Sequence, residues 1–237
     1  MKIRIDKLLS NTGEGSRSDV KKLLKGGAVT VDGFVIKDSG TQVEEGQDIT
    51  VYGRKIIYKK FIYIMLNKPQ GVVSATKDKN ETVIDLLDEG FKAWDLFPVG
   101  RLDKDTEGLL ILTNDGELSH NLLSPKKHIP KTYYATIDGE VTTQDVKLFE
   151  MGVVLEDDYK TLPAKLKILE CAELSKIELT IMEGKFHQVK RMFESVDKRV
   201  TYLKRISMGK LKLDENLVLG DYRELTDDEI NILKNRE

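Results

Sequence analysis

VGRLDKDTEGLLILTNDG, residues 99–116, sets four carboxylates and three glycines around the run LLILT at 109–113. A run this apolar does not alternate, so it reads as a strand covered on both faces, with a polar, glycine-bearing loop before it. Working outward, FIYIMLNKP (61–69), TYYATI (132–137), AKLKIL (164–169) and KIELTIM (176–182) read as further short strands. Helical spacing falls at ETVIDLLDEG (81–90), ELSHNLL (117–123), TTQDVKLFEMG (142–152) and HQVKRMFESV (187–196). The two kinds of element mix without a regular βαβ period, which predicts an α+β domain on a mixed, largely antiparallel sheet.

The chain has 237 residues, 40% hydrophobic and 33% charged, enough for one large domain or two unequal ones. Its single cysteine, Cys171, cannot form an internal disulfide. The first 30 residues show no apolar signal core, and no run approaches the roughly 18–20 apolar residues of a membrane span. A cytoplasmic protein without a membrane partner is expected, and no long apolar heptad argues against a monomer. The net charge of −2 is a weak argument against nucleic acid, but its distribution reverses that. Residues 1–60 hold 12 Lys and Arg against 8 Asp and Glu, and residues 185–212 hold 9 against 2. Two separated basic patches suit a phosphate-rich partner better than chance clustering on a solvated surface does.

At the N-terminus, Ile3, Ile5, Leu8 and Leu9 recur at helical spacing up to Asn11-Thr12-Gly13. Ser16 is an N-cap candidate with Asp19 three residues on, and opens a second helix that turns Val20, Leu23 and Leu24 inward. Gly26 and Gly27 suit its end, and AVTV, Asp32-Gly33 and FVI read as a hairpin. Arg17, Lys21 and Lys25 lie four apart and share one helical face. The ordered motifs RIDKLL, GSRSDVKKLLKGGAVTVDG and EEGQDITV, residues 1 to about 52, resemble the S4 RNA-binding domain. That resemblance implies that Arg4, Lys7, Arg17, Lys21, Lys22 and Lys25 meet RNA phosphates. Gly53-Arg54-Lys55 and the lysines at 59 and 60 read as a linker, which gives a boundary near 60 and domains at 1–59 and 60–237.

Several chemistries are excluded by residue type and spacing. DKDTEG at 103–108 imitates the start of a calcium loop, but its twelfth position is Asn114 where a bidentate Glu is required. The histidines at 120, 128 and 187 and Cys171 have no zinc spacing, and there is neither a Walker loop nor a dinucleotide-binding glycine motif. No metal and no cofactor is expected. Two carboxylates of the loop are compatible with glycoside hydrolysis only at unconvincing spacing. An aspartate that merely organises a turn beside Gly100 stays open at this point.

GRLDKDTEGLLILTNDGEL at 100–118 resembles the signature loop of the RsuA type of RNA pseudouridine synthase. The resemblance continues, in order, through NKPQGVVSA (67–75), KTYYATIDG (131–139), EGKFHQVKRMF (183–193) and LKRISMGKLKL (203–213). With the S4-like segment it spans nearly the whole chain. It implies isomerisation of one uridine: the N1–C1′ bond breaks, the base turns, and C5 joins C1′. Asp103 is then the catalytic carboxylate, acting on the sugar, on the base or on the C2′ proton. Arg101 contacts RNA near the displaced nucleotide, and Tyr133 offers its ring to a flipped base. Tyr134, next on the strand, points the other way.

Lys190 matches the basic residue that pairs with that carboxylate, as a point charge where some relatives have a forked Arg. Leu203 matches an apolar wall, while His187 and Gln188 shape the pocket or meet RNA. Asp105 and Glu107 become loop organisers, one of them pairing with a backbone N–H, and Asp115 becomes scaffold. HQVKRM and RISMGKLKL look more like the branch acting on small-subunit (16S) ribosomal RNA, so ribosomal RNA or an assembling subunit is the expected partner. A large-subunit (23S) synthase and a non-catalytic S4-type RNA-binding assembly factor are the alternatives.

Overall fold

In a computed structural model the chain is described at residues 2–44, 46–56, 58–92 and 94–234. Glu45 of the EEGQDITV motif and Ile57 of the linker lie outside them. The chain forms two compact units, one made of Met1–Ile62 with Leu87–Leu96 and the other of Tyr63–Leu86 with Phe97–Glu237.

In the first unit, β1 (Lys2–Arg4) leads into α1 (Ile5–Asn11) and α2 (Arg17–Lys25). The strands β2 (Val29–Val31), β3 (Phe34–Val35), β4 (Gln42–Glu44), β5 (Ile49–Val51) and β6 (Arg54–Lys55) follow, and α3 (Glu89–Lys92) belongs to the same unit. The Asp19 N–H donates to Ser16 Oγ, the N-cap expected from sequence. Gly27, at φ +74°, lies just beyond α2. Asp32 and Gly33, at φ +50° and +84°, make the two-residue turn between β2 and β3. Ile5, Leu8, Leu9, Val20, Leu24 and Val29 form a sealed core. The first helix starts two residues later than its apolar spacing predicts. Lys2–Arg4 pairs with Gln42–Glu44, and the Ile5 N–H donates to Thr41 O, so sheet pairing claims the backbone at Ile3.

The second unit carries β7 (Tyr63–Lys68), β8 (Phe97–Pro98), β9 (Glu107–Thr113), α4 (Gly116–Leu123), β10 (Lys131–Asp138) and α5 (Thr143–Met151). It continues with β11 (Lys165–Glu170), β12 (Leu174–Ile181), α6 (Gln188–Glu194), β13 (Arg199–Met208), β14 (Leu211–Lys212), β15 (Tyr222–Glu224) and α7 (Asp227–Lys234). The sheet runs β11-β12-β10-β13-β9-β7-β15, with β14 on β13 and β8 on β9. Every residue of β7 and β9 is buried, as the LLILT run requires, and each Leu or Ile so buried contributes about 1.5–3 kcal/mol. The whole is an α+β fold.

Of the strands named here β9 and β13 pair in parallel, with Gly108 opposite Arg205. Gly108 sits at φ +101°, and a Cβ there would collide with the Arg205 backbone. This position therefore admits only glycine, and the close approach joins the loop before β9 to β13.

The helix expected at 81–90 does not form, apart from its last residues in α3. Asp85 Oδ2 accepts from both the N–H and the hydroxyl of Thr82 at 2.8 Å, while Val73 bridges Thr82 as an isolated β-pair. The Val73 N–H donates to Glu81 O and the Val83 N–H to Val73 O, so bridge pairing claims this backbone and the segment folds into turns. β13, the longest strand, is missing from the expected set because its basic residues mask its inward-facing positions.

Candidate active site

The Val99–Gly116 stretch is held by its backbone. Ser74 Oγ donates to Leu102 O and accepts from the Leu102 N–H, and the Gly71 N–H donates to Lys104 O. Lys68, wholly buried at the end of β7, donates from Nζ toward Pro69 O (3.0 Å), Asp103 O (3.1 Å), Thr106 O (3.0 Å) and Lys104 O (3.4 Å). Burial pushes this ammonium down to about 8, against the raising influence of Asp105, Asp103 and Glu107. The loop is thus clamped from below, and the Asp103 side chain, 28% exposed, is left at the surface of a cavity of about 360 Å³.

That volume lies within the roughly 300–1,000 Å³ of small-molecule sites. Arg101 and Asp103 line one side, and Tyr133 and Leu203, both buried, line another. Tyr133 and Leu203 face the same way because their strands β10 and β13 are paired antiparallel in register. Tyr134 faces away and packs edge-on against Tyr202, with ring centroids 6.1 Å apart.

His187 Nε2 is 3.5 Å from Asp103 Oδ1, and Lys190 Nζ is 3.7 Å from Asp103 Oδ2. The direct partner of Lys190 is Asp105, with Nζ 2.7 Å from each carboxylate oxygen. Lys190 therefore stands at the rim between two carboxylates and is absent from the cavity wall. Asp105 organises the loop through its own backbone N–H and through the Lys190 ammonium. Burial raises the Asp105 carboxyl, but the Lys190 hydrogen bond and charge outweigh this and hold it below the usual range. Glu107 accepts from Tyr202 OH at 2.6 Å. Asp115 caps α4 through the Leu118 N–H and accepts from Tyr63 OH, so it is scaffold.

Gln188 is buried and, like His187, lines the cavity. Its amide donates to Glu183 and accepts from the Lys185 N–H, which ties down the turn before α6. His187 is at φ +47° and stacks on the exposed Phe186 with centroids 3.8 Å apart. Sequence reasoning missed three cations here. Lys68, Lys131 and Arg205 lie inside quoted motifs, yet their residue types ordinarily mark surface. Among the described residues no group of three or more His, Cys, Asp or Glu side chains is placed to hold a metal ion.

In the first unit Arg4, Lys7, Arg17 and Lys21 converge on one depression together with Asp6. Arg4 donates two hydrogen bonds to Asp6, and Lys22 pairs with Asp19 at 3.2 Å. Lys22 and Lys25 do not line that depression. No helix of the described residues is long and apolar enough to cross a membrane.

Residues 62–195 match the RNA pseudouridylate synthase family, and residues 3–49 match the S4 domain. The chain is 51% identical over 234 residues to an uncharacterized RNA pseudouridine synthase of Bacillus subtilis, across 98% of each chain. It is 40% identical over 230 residues to ribosomal small subunit pseudouridine synthase A of Vibrio cholerae, covering 96% of this chain and 98% of that one. A crystal structure of a pseudouridylate synthase superposes with a TM-score of 0.69 at 37% identity, over 98% of this chain and 99% of that one. On matches that run from end to end and include the loop of Asp103, the chain belongs to the RNA pseudouridylate synthase family, with an S4 domain at its N-terminus.

Proposed function

We propose that the chain isomerises one uridine of small-subunit ribosomal RNA to pseudouridine, as a cytoplasmic monomer, with Asp103 as the catalytic carboxylate. In this reading residues 1–59 grip RNA and residues 60–237 do the chemistry. The observation that carries it is the clamped Asp103 at the mouth of a cavity walled by Tyr133 and Leu203. A uridine turned out of its stack meets the Tyr133 ring there, and stacking of that kind is worth about 1–3 kcal/mol per base. The product is an isomer of the substrate: C5 loses its proton to solvent and N1 gains one. The likeness to the Vibrio small-subunit enzyme supports the choice of subunit.

Mapping pseudouridines in both ribosomal RNAs, from cells with and without the gene, tests the proposal. One small-subunit site that vanishes without the gene is the expected result. A vanished large-subunit site would move the assignment to that subunit, and unchanged maps would refute the proposed substrate.

The Arg4, Lys7, Arg17 and Lys21 cluster supports phosphate binding by the S4 domain. Arg17→Glu with Lys21→Glu should weaken RNA binding and flatten its salt dependence, by about 0.7–0.9 in log–log slope for each phosphate no longer neutralised. Titrations at several salt concentrations measure both. Single-turnover rate at saturating RNA should stay near that of the unmodified protein.

A further inference from the structure

The cavity that receives Asp103 also holds two buried cations. Lys131 and Arg205 both line it, at 8% and 2% exposure. They stand on one sheet face with Tyr133 and Leu203, because residues two apart on β10 and β13 point the same way. Lys131 Nζ donates to Ile129 O, and Arg205 Nε donates to Leu109 O. Arg205 Nη2 is buried and has no acceptor. Among the described residues neither cation has a carboxylate within 4 Å. Burial, with the Arg205 charge adding to it, pushes the Lys131 ammonium down to about 8. The cavity's own carboxylates are Asp103 and Glu183, and Glu183 is taken up by Tyr159, the Leu162 N–H and Gln188. Two neighbouring cations buried without a direct carboxylate partner oppose folding, and a fold that keeps them in its active cavity holds them ready for negative charge.

The reaction produces that charge. If N1–C1′ breaks first, its electron pair stays on the ring and spreads over N1, O2 and O4. If a carboxylate oxygen adds to C6 first, an electron pair moves into the C5–C4–O4 system instead. On the second course N1–C1′ breaks after the addition, and the O–C6 bond breaks again once C5 has joined C1′, which returns the free carboxylate. On either course C5 bonds to C1′, the C5 proton leaves to solvent and N1 takes a proton, so atoms and charge balance without a co-reactant.

We propose that Lys131 is a further catalytic residue, its ammonium bonded to a carbonyl oxygen of the target pyrimidine and stabilising the negative charge that gathers on the ring, with Arg205 as a positioning residue behind it. This rests on the isomerase reading above and adds a charge-stabilising group to it. The Leu109 carbonyl fixes Arg205 through its Nε, and the Arg205 charge acts on the Lys131 ammonium.

The full-length protein and RNA labelled with tritium at uracil C5 provide the test. Lys131→Met should lower the single-turnover rate at saturating RNA by about 10²–10³-fold, the scale of losing one preorganised donor. RNA affinity should change less than about 3-fold, and the melting temperature should rise, because an unpaired buried charge is gone. Lys131→Arg, which keeps the charge, should recover a large part of the rate. A second readout uses RNA with 5-fluorouridine at the target, followed by digestion and chromatography of its consumption. Fluorine stabilises negative charge on the ring, so the Lys131→Met defect should shrink on that substrate.

A normal rate in Lys131→Met, a lowered melting temperature, or an equal defect on both substrates would each overturn the proposal. Release of tritium by the unmodified protein is the control for the isomerase reading itself. Its absence on all ribosomal RNA would refute that reading and the role of Lys131 with it.

Discussion

Asp103→Asn is expected to release no measurable tritium from RNA labelled at uracil C5, a loss on the order of 10³-fold or more, while folding and binding RNA normally. The chemical half of this expectation follows from what the amide lacks: it neither attacks sugar or base as an oxyanion nor accepts a proton, and removal of a group that acts in the transition state costs on this scale. The folding half follows from how the loop is built. Lys68 bonds the carbonyl oxygen of Asp103, and the Thr106 N–H donates to the same backbone carbonyl. The side chain is partly exposed, and among the described residues its ion-pair partners are His187 at 3.5 Å and Lys190 at 3.7 Å, so its amide leaves the clamp intact. Surface changes of this kind alter stability by within about 0.5 kcal/mol. Thermal unfolding, RNA binding and tritium release on one preparation check all three. Residual turnover near that of the unmodified protein would remove Asp103 from the chemistry, and Asp105→Asn then becomes the informative comparison.

The legible parts of the molecule were those where one residue type has one physical use. Ser16 capping α2, Asp32-Gly33 turning a hairpin and LLILT as a doubly covered strand all follow from local rules, and the structure has them. The segment 81–90 misleads because its helical spacing is real, yet Val73, distant in sequence, takes the backbone of Glu81 and Val83 in bridge hydrogen bonds. β13 escaped notice because Arg205 occupies an inward position where an apolar residue is the ordinary signal. In the site, Tyr133 and Leu203 fall on the cavity by the alternation of a strand. The partner of Lys190 is different in kind. Asp103 and Asp105 are two residues apart, and only the path of the loop decides that Asp105 receives the short bonds. The buried lysines are the hardest case: side-chain type argues for surface, and their burial depends on carbonyl groups that come together only in the finished fold.

Lys68→Met should destabilise the catalytic unit by about 3 kcal/mol and lose most of the isomerase rate even where the variant is folded, because two opposing effects meet at that ammonium. Removing the charge relieves a desolvation cost, which the fall of its pKa to about 8 makes evident. The same change removes a donor from the carbonyls of Pro69, Asp103, Lys104 and Thr106. Asp103 and Lys104 keep the N–H groups of Thr106 and Gly71, whereas Pro69 and Thr106 lose the ammonium outright, and a buried acceptor left without a donor costs about 1–3 kcal/mol. Two acceptors stripped and two weakened outweigh one cation, so the net sign is destabilising. The pH dependence follows from the same group. Below about pH 8 Lys68 is protonated in both states; between about 8 and 10.5 the unfolded chain holds the proton and the folded one does not. Stability contributed at this site therefore rises with pH across that window, and the gap between the unmodified protein and Lys68→Met should widen there. Urea unfolding at pH 7 and pH 9.5, with single-turnover tritium release below the melting transition, measures both effects. Unchanged stability at pH 7 would show that the Pro69 and Thr106 carbonyls find other donors. A folded variant with full activity would show that Asp103 does not depend on the clamp beneath it.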